Sequence, residues 1–494
     1  MKKINIKLLG GEEAMQDEKI LKKGRIQKKI FIICIGICLI LLSGCGRSFA
    51  DLSGNEKLHI GIQGSGLPET MREGIENGAD IDQLPLWMGT YDSYGMKYDR
   101  NPLRILIAKQ NTPYIVEIML QAGADPNTYD GEGYPLLFRT AAWGAPERMS
   151  ELLLEYGADP SLKSKEGESL LHCYISSFEP AAANIPKIEV IRKFLDAGAK
   201  VDEETVEQAM DSGVYHVLEI LYQNDHAYGN SFSELQLAYL EGDIRKGNLL
   251  LEQCDSLTDA DQYIAAIYGN RETVSILSKK HTDFFRESEK QAAIITLTAW
   301  GENTEAVSAM LQDEKVKRLD ADQIKAAAYA TDNAKLLAQL YENGWIGDPD
   351  EDDLVKIAGA NAENILRYLS DRGYDFEKNT EASTDALIEA NYMGYSHIFR
   401  LLLEYGALPS KEVLLDICTV PDAPENLELL IKYGADLKQN GKEAMENAIE
   451  SCSLESIKTL HSHGVEITKQ MYQNAVKNDL PSEHVLKYLK ENAV

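Results

Sequence analysis

Three short clusters carry residue types that could bind a metal ion or a phosphate group: an aspartate row at 348–352, a glycine-rich loop at 61–66 and a histidine pair at 461–463. The aspartates alternate as in the opening of a calcium-binding loop, but the sixth position is Asp353 instead of glycine and the twelfth is Gly359 instead of glutamate. No Lys-Ser or Lys-Thr pair follows the glycines, and no further histidine or cysteine lies close in sequence to the histidine pair. The sequence therefore predicts no metal and no cofactor, and we expect the chain not to be an enzyme.

The N-terminal 44 residues differ in composition from everything that follows. Residues 1–44 hold nine Lys and Arg against four acids, and a basic cluster at 22–29 directly precedes an apolar run at 30–42. This order is typical of a signal peptide. The apolar run has 13 residues, fewer than the roughly twenty that span a bilayer, so we do not expect a lasting transmembrane helix. Translation from Met15 instead of Met1 would give the basic region a more usual length.

The end of this segment resembles the lipobox of bacterial lipoproteins. Leu42, Ser43, Gly44 and Cys45 supply, in order, a branched apolar residue, two small residues and the cysteine. The resemblance implies that Cys45 receives a diacylglyceryl group and becomes the first residue of the mature chain, after cleavage of the preceding bond. Two acyl chains anchor a protein stably where one holds only marginally. We therefore expect a protein at the bacterial cell membrane, lipid-anchored and facing outside the cytoplasm; the alternative is an ordinary secretory signal.

The charge balance argues against nucleic acid as a partner. The whole chain has 50 Lys and Arg against 79 Asp and Glu, a net charge of −29. Without residues 1–44, 41 basic and 75 acidic residues remain, a net charge of −34. A field of this sign repels phosphate backbones and anionic lipid headgroups. It favours a basic protein partner and a body that stands away from the membrane.

The remaining cysteines show no pattern of a disulfide framework or a zinc site. They are scattered over nearly 280 residues, with no C-x-x-C or other close pair: Cys173, Cys254, Cys418 and Cys452. We expect buried free thiols, so that packing must stabilise the fold.

A repeated phrase organises the chain after residue 66. Residues 45–66 are rich in glycine and serine and predict a flexible tether. Over 67–494, an apolar helical stretch repeatedly ends in a glycine that we expect to close the helix in the left-handed conformation: Gly78, Gly123, Gly157, Gly198, Gly344, Gly373, Gly406, Gly434 and Gly464. An alanine-rich helix precedes many of these stretches, so the predicted unit is a pair of antiparallel helices. We count about fourteen units, the last helix (482–492) being a polar cap.

These units resemble ankyrin repeats, which open their first helix with a T-P-L-H turn. Ser169, Leu171 and His172 match the Thr, Leu and His positions, and a similar unit starts at residues 101–103. The resemblance implies an all-α, ankyrin-repeat-type α-solenoid of stacked helix pairs with few or short β-hairpin fingers. After about residue 200 the turn disappears and the glycine spacing falls to about 30 residues, which leaves a HEAT-like solenoid as the alternative there.

Aromatic residues are concentrated in one insertion between the first two phrases. Trp87, Tyr91, Tyr94 and Tyr98 fall where the glycine interval lengthens from about 30 to 45 residues. Trp and Tyr dominate the binding energy of protein interfaces, so these four are candidate partner contacts. The alternative is a finger folded over the first repeat as a cap.

Together these features predict a non-enzymatic protein–protein binding scaffold, tethered to the membrane through the lipid on Cys45. A narrower alternative is an immunity protein that neutralises a toxin. An enzyme or receptor with a pocket assembled from several repeats is the opposing class.

Overall fold

The computed structural model describes residues 48–494 apart from short gaps at 64–65, 89, 92–97, 110–111, 143–146, 178–184, 282–287, 314–315, 317–320, 348, 379 and 420–423. Within these residues the structure has 28 α-helices in fourteen consecutive pairs, and one two-stranded antiparallel ladder. The expected all-α class with stacked helix pairs is therefore confirmed. The chain divides into two compact units. The middle unit contains Asp159–Tyr374 with Ala141–Gly144, and the terminal unit contains the described residues up to Thr140, Ala145–Ala158 and Asp375–Val494.

The terminal unit takes its helices from both ends of the chain. They are α1 (Gly54–Gly61), α2 (Pro68–Glu76), α3 (Pro102–Ala108), α4 (Pro113–Gln121), most of α5 (Leu136–Ala142), α6 (Glu147–Glu155), α21 (Thr380–Tyr392), α22 (Ser396–Glu404), α23 (Lys411–Thr419), α24 (Pro424–Lys432), α25 (Leu437–Glu450), α26 (Leu454–Ser462), α27 (Lys469–Lys477) and α28 (Glu483–Asn492). Strands β1 (Thr90–Tyr91) and β2 (Tyr98–Asp99) also belong to it, with short 3₁₀ turns at Phe49–Asp51 and Leu86–Met88.

The middle unit is a continuous series of helices. They are α7 (Leu170–Ser176), α8 (Ile188–Asp196), α9 (Glu203–Asp211), α10 (Leu218–Asn224), α11 (Glu234–Leu240), α12 (Ile244–Gln253), α13 (Asp259–Tyr268), α14 (Arg271–Lys280), α15 (Ser288–Trp300), α16 (Thr304–Leu311), α17 (Asp322–Ala330), α18 (Ala334–Glu342), α19 (Glu351–Gly359) and α20 (Glu363–Asp371). Two 3₁₀ segments, Tyr215–Val217 and His226–Ser231, flank α10.

The predicted helix-closing glycines are confirmed. All nine have positive φ, between 68° and 109°, a conformation that costs a residue with a Cβ about 1–2 kcal/mol. A second left-handed position lies in the turn inside several helix pairs, and the sequence analysis missed it. In five of these turns the residue is not glycine: Glu302, Asp332, Asn361, Cys452 and Asp479. Four of the five are Asn, Asp or Glu, so polar side chains take over the position that glycine holds elsewhere.

The core of the middle unit lies between two rows of helices, one that buries alanines and one that buries larger apolar side chains. The first helices of successive pairs, α11, α13, α15, α17 and α19, contact one another in order, and so do the second helices α12, α14, α16, α18 and α20. The first row buries alanines completely, among them Ala238, Ala265, Ala266, Ala327, Ala328 and Ala358. The second row buries larger side chains such as Leu277, Val307, Leu336, Leu337 and Leu366. The small residues let the helices approach closely while the large ones fill the space between the rows.

The tether expected at residues 45–66 is wrong over its described part. Helix α1 occupies Gly54–Gly61 and packs along α2, with Leu58 and Ile62 fully buried. The Ser53 hydroxyl accepts a hydrogen bond from the Glu56 amide while the Glu56 carboxylate accepts one from the Ser53 amide. This is a capping box, a sequence signal of a helix start. The glycines that suggested flexibility instead allow close packing, because a Cβ on Gly61 would meet the Met71 backbone at 2.8 Å.

Helix α28, where the sequence predicts a polar cap at 482–492, buries one face and leaves Glu483, Lys487, Lys490 and Glu491 exposed. Helices α22, α24 and α26 stack in order in the terminal unit, as do α2, α4 and α6, and α28 packs directly on α2. Ser482, Val485 and Leu489 are fully buried. The first and last repeats of the chain therefore form a contact with each other.

Candidate protein-binding surface

The aromatic insertion forms a short hairpin with a well-braced base, here called the finger (residues 82–101). Two hydrogen bonds connect Leu84 and Arg100. The Leu84 amide donates to the Arg100 carbonyl at 2.9 Å, and the Arg100 Nε donates to the Leu84 carbonyl at 2.6 Å. The Asn101 side chain donates to the Asp82 carbonyl at 2.9 Å. Leu84 and Met88 are buried. These contacts join the two ends of the finger to each other.

The structure brings two of the four predicted contact residues together. Tyr91 pairs with Tyr98 across the ladder, and the backbone of Trp87 lies in the 3₁₀ turn before it, while Tyr94 lies outside the described residues. The sequence analysis overlooked Leu86, whose side chain is 69% exposed.

Acidic residues mark the starts of the second helices. Ten of the fourteen second helices carry a glutamate in their first turn, five in each unit: Glu69, Glu147, Glu425, Glu455 and Glu483 in the terminal unit, and Glu189, Glu219, Glu272, Glu305 and Glu363 in the middle unit. A carboxylate is favourable there because it offsets the positive end of the helix dipole. The same regularity gives each unit a repeated series of negative charges.

Some of these carboxylates are already paired. Arg72 donates to the Tyr114 hydroxyl at 2.9 Å, and that hydroxyl donates to Glu455 at 2.9 Å, while Arg72 lies 3.4 Å from Glu455. Burial, countered by Arg72, raises the pKa of Tyr114, so this hydroxyl stays protonated. In the middle unit, burial raises the pKa of Glu302, with Arg192 opposing and Glu189 adding to the shift. Carboxylates and arginines therefore lie side by side in both units.

The terminal unit also has a shallow cleft of about 460 Å³ between α22 and α24. Its charged residues have both signs, Arg400 and Lys432 against Glu425 and Glu428, and Ser396 donates to Glu425 at 2.8 Å. The cleft therefore exposes charged groups of both signs.

The remaining candidate residues have local partners. His461 Nδ1 lies 3.0 Å from the Tyr488 hydroxyl and His463 lies 3.5 Å from Glu428, so the two histidines face different groups. In the residues that the structure describes, no group of three or more His, Cys, Asp or Glu is placed to hold a metal ion. Cys173, Cys418 and Cys452 are buried free thiols and Cys254 is half-buried.

The residues of the predicted lipobox, Leu42, Ser43, Gly44 and Cys45, lie outside the described residues. Among the residues from 48 onward that are described, no helix is both long and apolar enough to cross a membrane.

Comparison with known proteins gives no further assignment. No protein-family model matches the chain, and no curated protein sequence is significantly similar to it.

Proposed function

We propose that this chain is a lipid-anchored, ankyrin-type binding scaffold that faces outside the bacterial cytoplasm, binds a basic protein and performs no catalysis. The observation that carries the proposal is the finger: its base is held by several hydrogen bonds, its ladder pairs the backbones of Tyr91 and Tyr98, and its Leu86 side chain is exposed. Such an anchored hairpin loses little conformational entropy on binding.

The ankyrin type is supported by the helix starts that resemble the T-P-L-H turn. The Asn101 side chain accepts from the Arg104 amide at 2.9 Å, and Ser169 accepts from the His172 amide at 3.3 Å. Ser169 also lies 3.2 Å from the Thr205 hydroxyl of the next pair. These polar contacts cap two first helices, and the contact to Thr205 links one of them to the next pair.

The anchor is proposed at Cys45, with three residues between it and the 3₁₀ turn at Phe49–Asp51. Membrane fractionation of cells that express Cys45→Ser tests the anchor, with Cys254→Ser as the matched cysteine control. We expect Cys45→Ser to leave the membrane fraction and Cys254→Ser to remain there. A Cys45→Ser protein that stays in the membrane with unchanged size contradicts the anchor.

Crosslinking on intact cells identifies the partner, and pull-downs then test the charge and the finger. We expect retention to fall as salt rises from about 0.05 M to about 0.5 M, because screening weakens attraction between opposite charges. Leu86→Asp should abolish retention, whereas Val476→Asp, at another exposed apolar residue of the terminal unit, should not. Equal retention of wild type and Leu86→Asp would remove the finger from the binding surface.

A further inference from the structure

The contact between the first and last repeats is built around one buried carboxylate. We call this contact the joint; it comprises Lys57 of α1, Glu69–Glu76 of α2 and Pro481–His484 at the start of α28. Glu73 is 1% exposed and accepts three hydrogen bonds, from the Ser482 hydroxyl at 2.6 Å, the Glu483 amide at 3.0 Å and the His484 amide at 2.8 Å. The amides in the first turn of a helix have no acceptor within that helix. Glu73 therefore supplies the cap that α28 cannot make for its own first two amides.

His484 lies between two other carboxylates of α2. Its Nδ1 is 2.7 Å from Glu69, and its Nε2 is 3.3 Å from Glu76. Partial burial alone would lower the pKa of His484, but the hydrogen bond to Glu69 and the charges of Glu73, Glu69 and Glu76 outweigh it, so the pKa is raised. The protonated ring can satisfy both carboxylates at once, which the neutral ring cannot.

The other charged groups at the joint leave it with an excess of acid. Lys57 pairs with Glu483, and Arg72 lies 3.3 Å from Glu69 and 3.4 Å from Glu455. Burial raises the pKa of the Cys452 thiol to about 12, so this neighbour of Thr70 is neutral. Among the described groups, five carboxylates thus face two permanent cations, and the proton on His484 offsets part of the difference. The full set is Glu69, Glu73, Glu76, Glu455, Glu483, Lys57, Arg72 and His484.

The joint links α28 to a helix that is far from it in sequence. Helix α28 contacts α2 across about 410 residues of sequence, and it is also held by α27 and, through the Tyr488 hydroxyl 3.0 Å from His461 Nδ1, by α26. In a repeat array each unit contacts only its neighbours, so an end unit can detach locally. We propose that the joint is a pH-sensitive latch, closed while His484 is protonated and loosened as the pH rises, which releases α28 from α2. Loss of the imidazolium leaves Glu69 and Glu76 without their shared counter-charge.

Hydrogen exchange of two backbone amides, measured on the full-length chain, tests the latch. The amides of Glu483 and His484 are protected by Glu73 alone, so their exchange reports opening of the joint. The middle unit supplies a reference, because Asp332 accepts from the Asn364 amide at 3.0 Å and the Ile365 amide at 2.9 Å, again at a helix start. The protection of the first pair divided by that of the second removes the intrinsic pH dependence of exchange.

We expect this ratio to fall several-fold between pH 6 and pH 9 in wild type and to stay constant in His484→Gln. Glu73→Gln should lower the ratio at every pH. The glutamine side chain has an NH₂ group in place of one carboxylate oxygen, and this group would face the donors that now bond to Glu73. A ratio that does not change with pH in wild type overturns the latch. So does a His484→Gln chain with the wild-type pH dependence. The wild-type series stands without the variants, so a variant that fails to fold does not affect it.

Discussion

In both units a carboxylate accepts hydrogen bonds from the first-turn amides of a helix, but the carboxylate and the helix are separated by very different lengths of sequence. In the middle unit, Asp332 caps the first turn of α20, some 32 residues further on. In the terminal unit, Glu73 caps the first turn of α28, about 410 residues further on. Asp332 joins two pairs that already share the continuous apolar contact of α18 and α20, where Leu336, Leu337 and Leu366 are fully buried. In the middle unit the cap therefore adds to an apolar contact between neighbouring pairs, whereas in the joint it links two helices far apart in sequence, alongside the buried Val485 and Leu489.

Weakening the apolar packing of the middle unit should destabilise the chain more than removing either carboxylate cap. Leu337→Ala removes a fully buried side chain from α18 and should cost about 2–5 kcal/mol of unfolding free energy. Urea unfolding followed by circular dichroism measures it, with Val476→Ala as a half-exposed control that should change stability by less than about 0.5 kcal/mol. A cost under about 1 kcal/mol for Leu337→Ala would show that packing is not what holds neighbouring pairs.

The second test removes the cap at the joint. Glu73→Ala leaves three donors without their acceptor and should cost about 1–3 kcal/mol, expressed as faster amide exchange in α27 and α28. Exchange in α13–α18 should be unchanged, because those helices belong to the middle unit. If α13–α18 also exchange faster, the joint supports the whole chain and the proposed local opening is wrong.

The matching change in the middle unit should have a smaller effect. Asp332→Ala removes the cap of α20 and should cost about 1 kcal/mol, seen as faster exchange of the Asn364 and Ile365 amides. Asp332→Asn is the control, since its side chain keeps an acceptor and tolerates the left-handed conformation at φ 50°. A cost larger than that of Glu73→Ala would reverse the comparison.

The smallest expected effect concerns the left-handed turns that connect the two helices of a pair. Glu302→Gly removes a Cβ at φ 59° and should stabilise the chain by up to about 1 kcal/mol, measured by urea unfolding. Asn361→Gly, at φ 62°, should change stability little because asparagine tolerates this conformation. Destabilisation by Glu302→Gly would show that the Glu302 side chain makes a contact that outweighs the strain.

The sequence predicts the parts of the fold that are set by local chemistry. The closing glycines, such as Gly198 and Gly406, are recognisable because few other residues take positive φ, and all nine behave as predicted. The buried alanines and leucines are recognisable by their helical spacing. The sequence also contains a signal for the start of α1, because Ser53 and Glu56 form an S-x-x-E capping box. The glycine-rich composition of residues 45–66 was given more weight than this motif.

The joint had no signal of this kind. Glu73, Ser482 and His484 are ordinary surface-type residues in sequence, and only the folded chain brings them together. The period of the sequence repeat predicts contacts between neighbouring repeats, but it does not predict a contact between the first and the last. The finger was found as an aromatic insertion, but its exposed Leu86 was passed over because the surrounding aromatic residues carry the stronger compositional signal.

The separation between Glu73 and Ser482 also sets an order of events during folding. Contacts between residues about 30 positions apart close small loops, whereas the bond from Ser482 to Glu73 closes one of 409 residues. The entropy of closing a loop grows with its length and must be met before the contact gains anything. Neighbouring pairs therefore form first and shorten the effective loop. Until α28 docks, the carboxylates of Glu69, Glu73 and Glu76 on α2 lack the partners that α28 supplies.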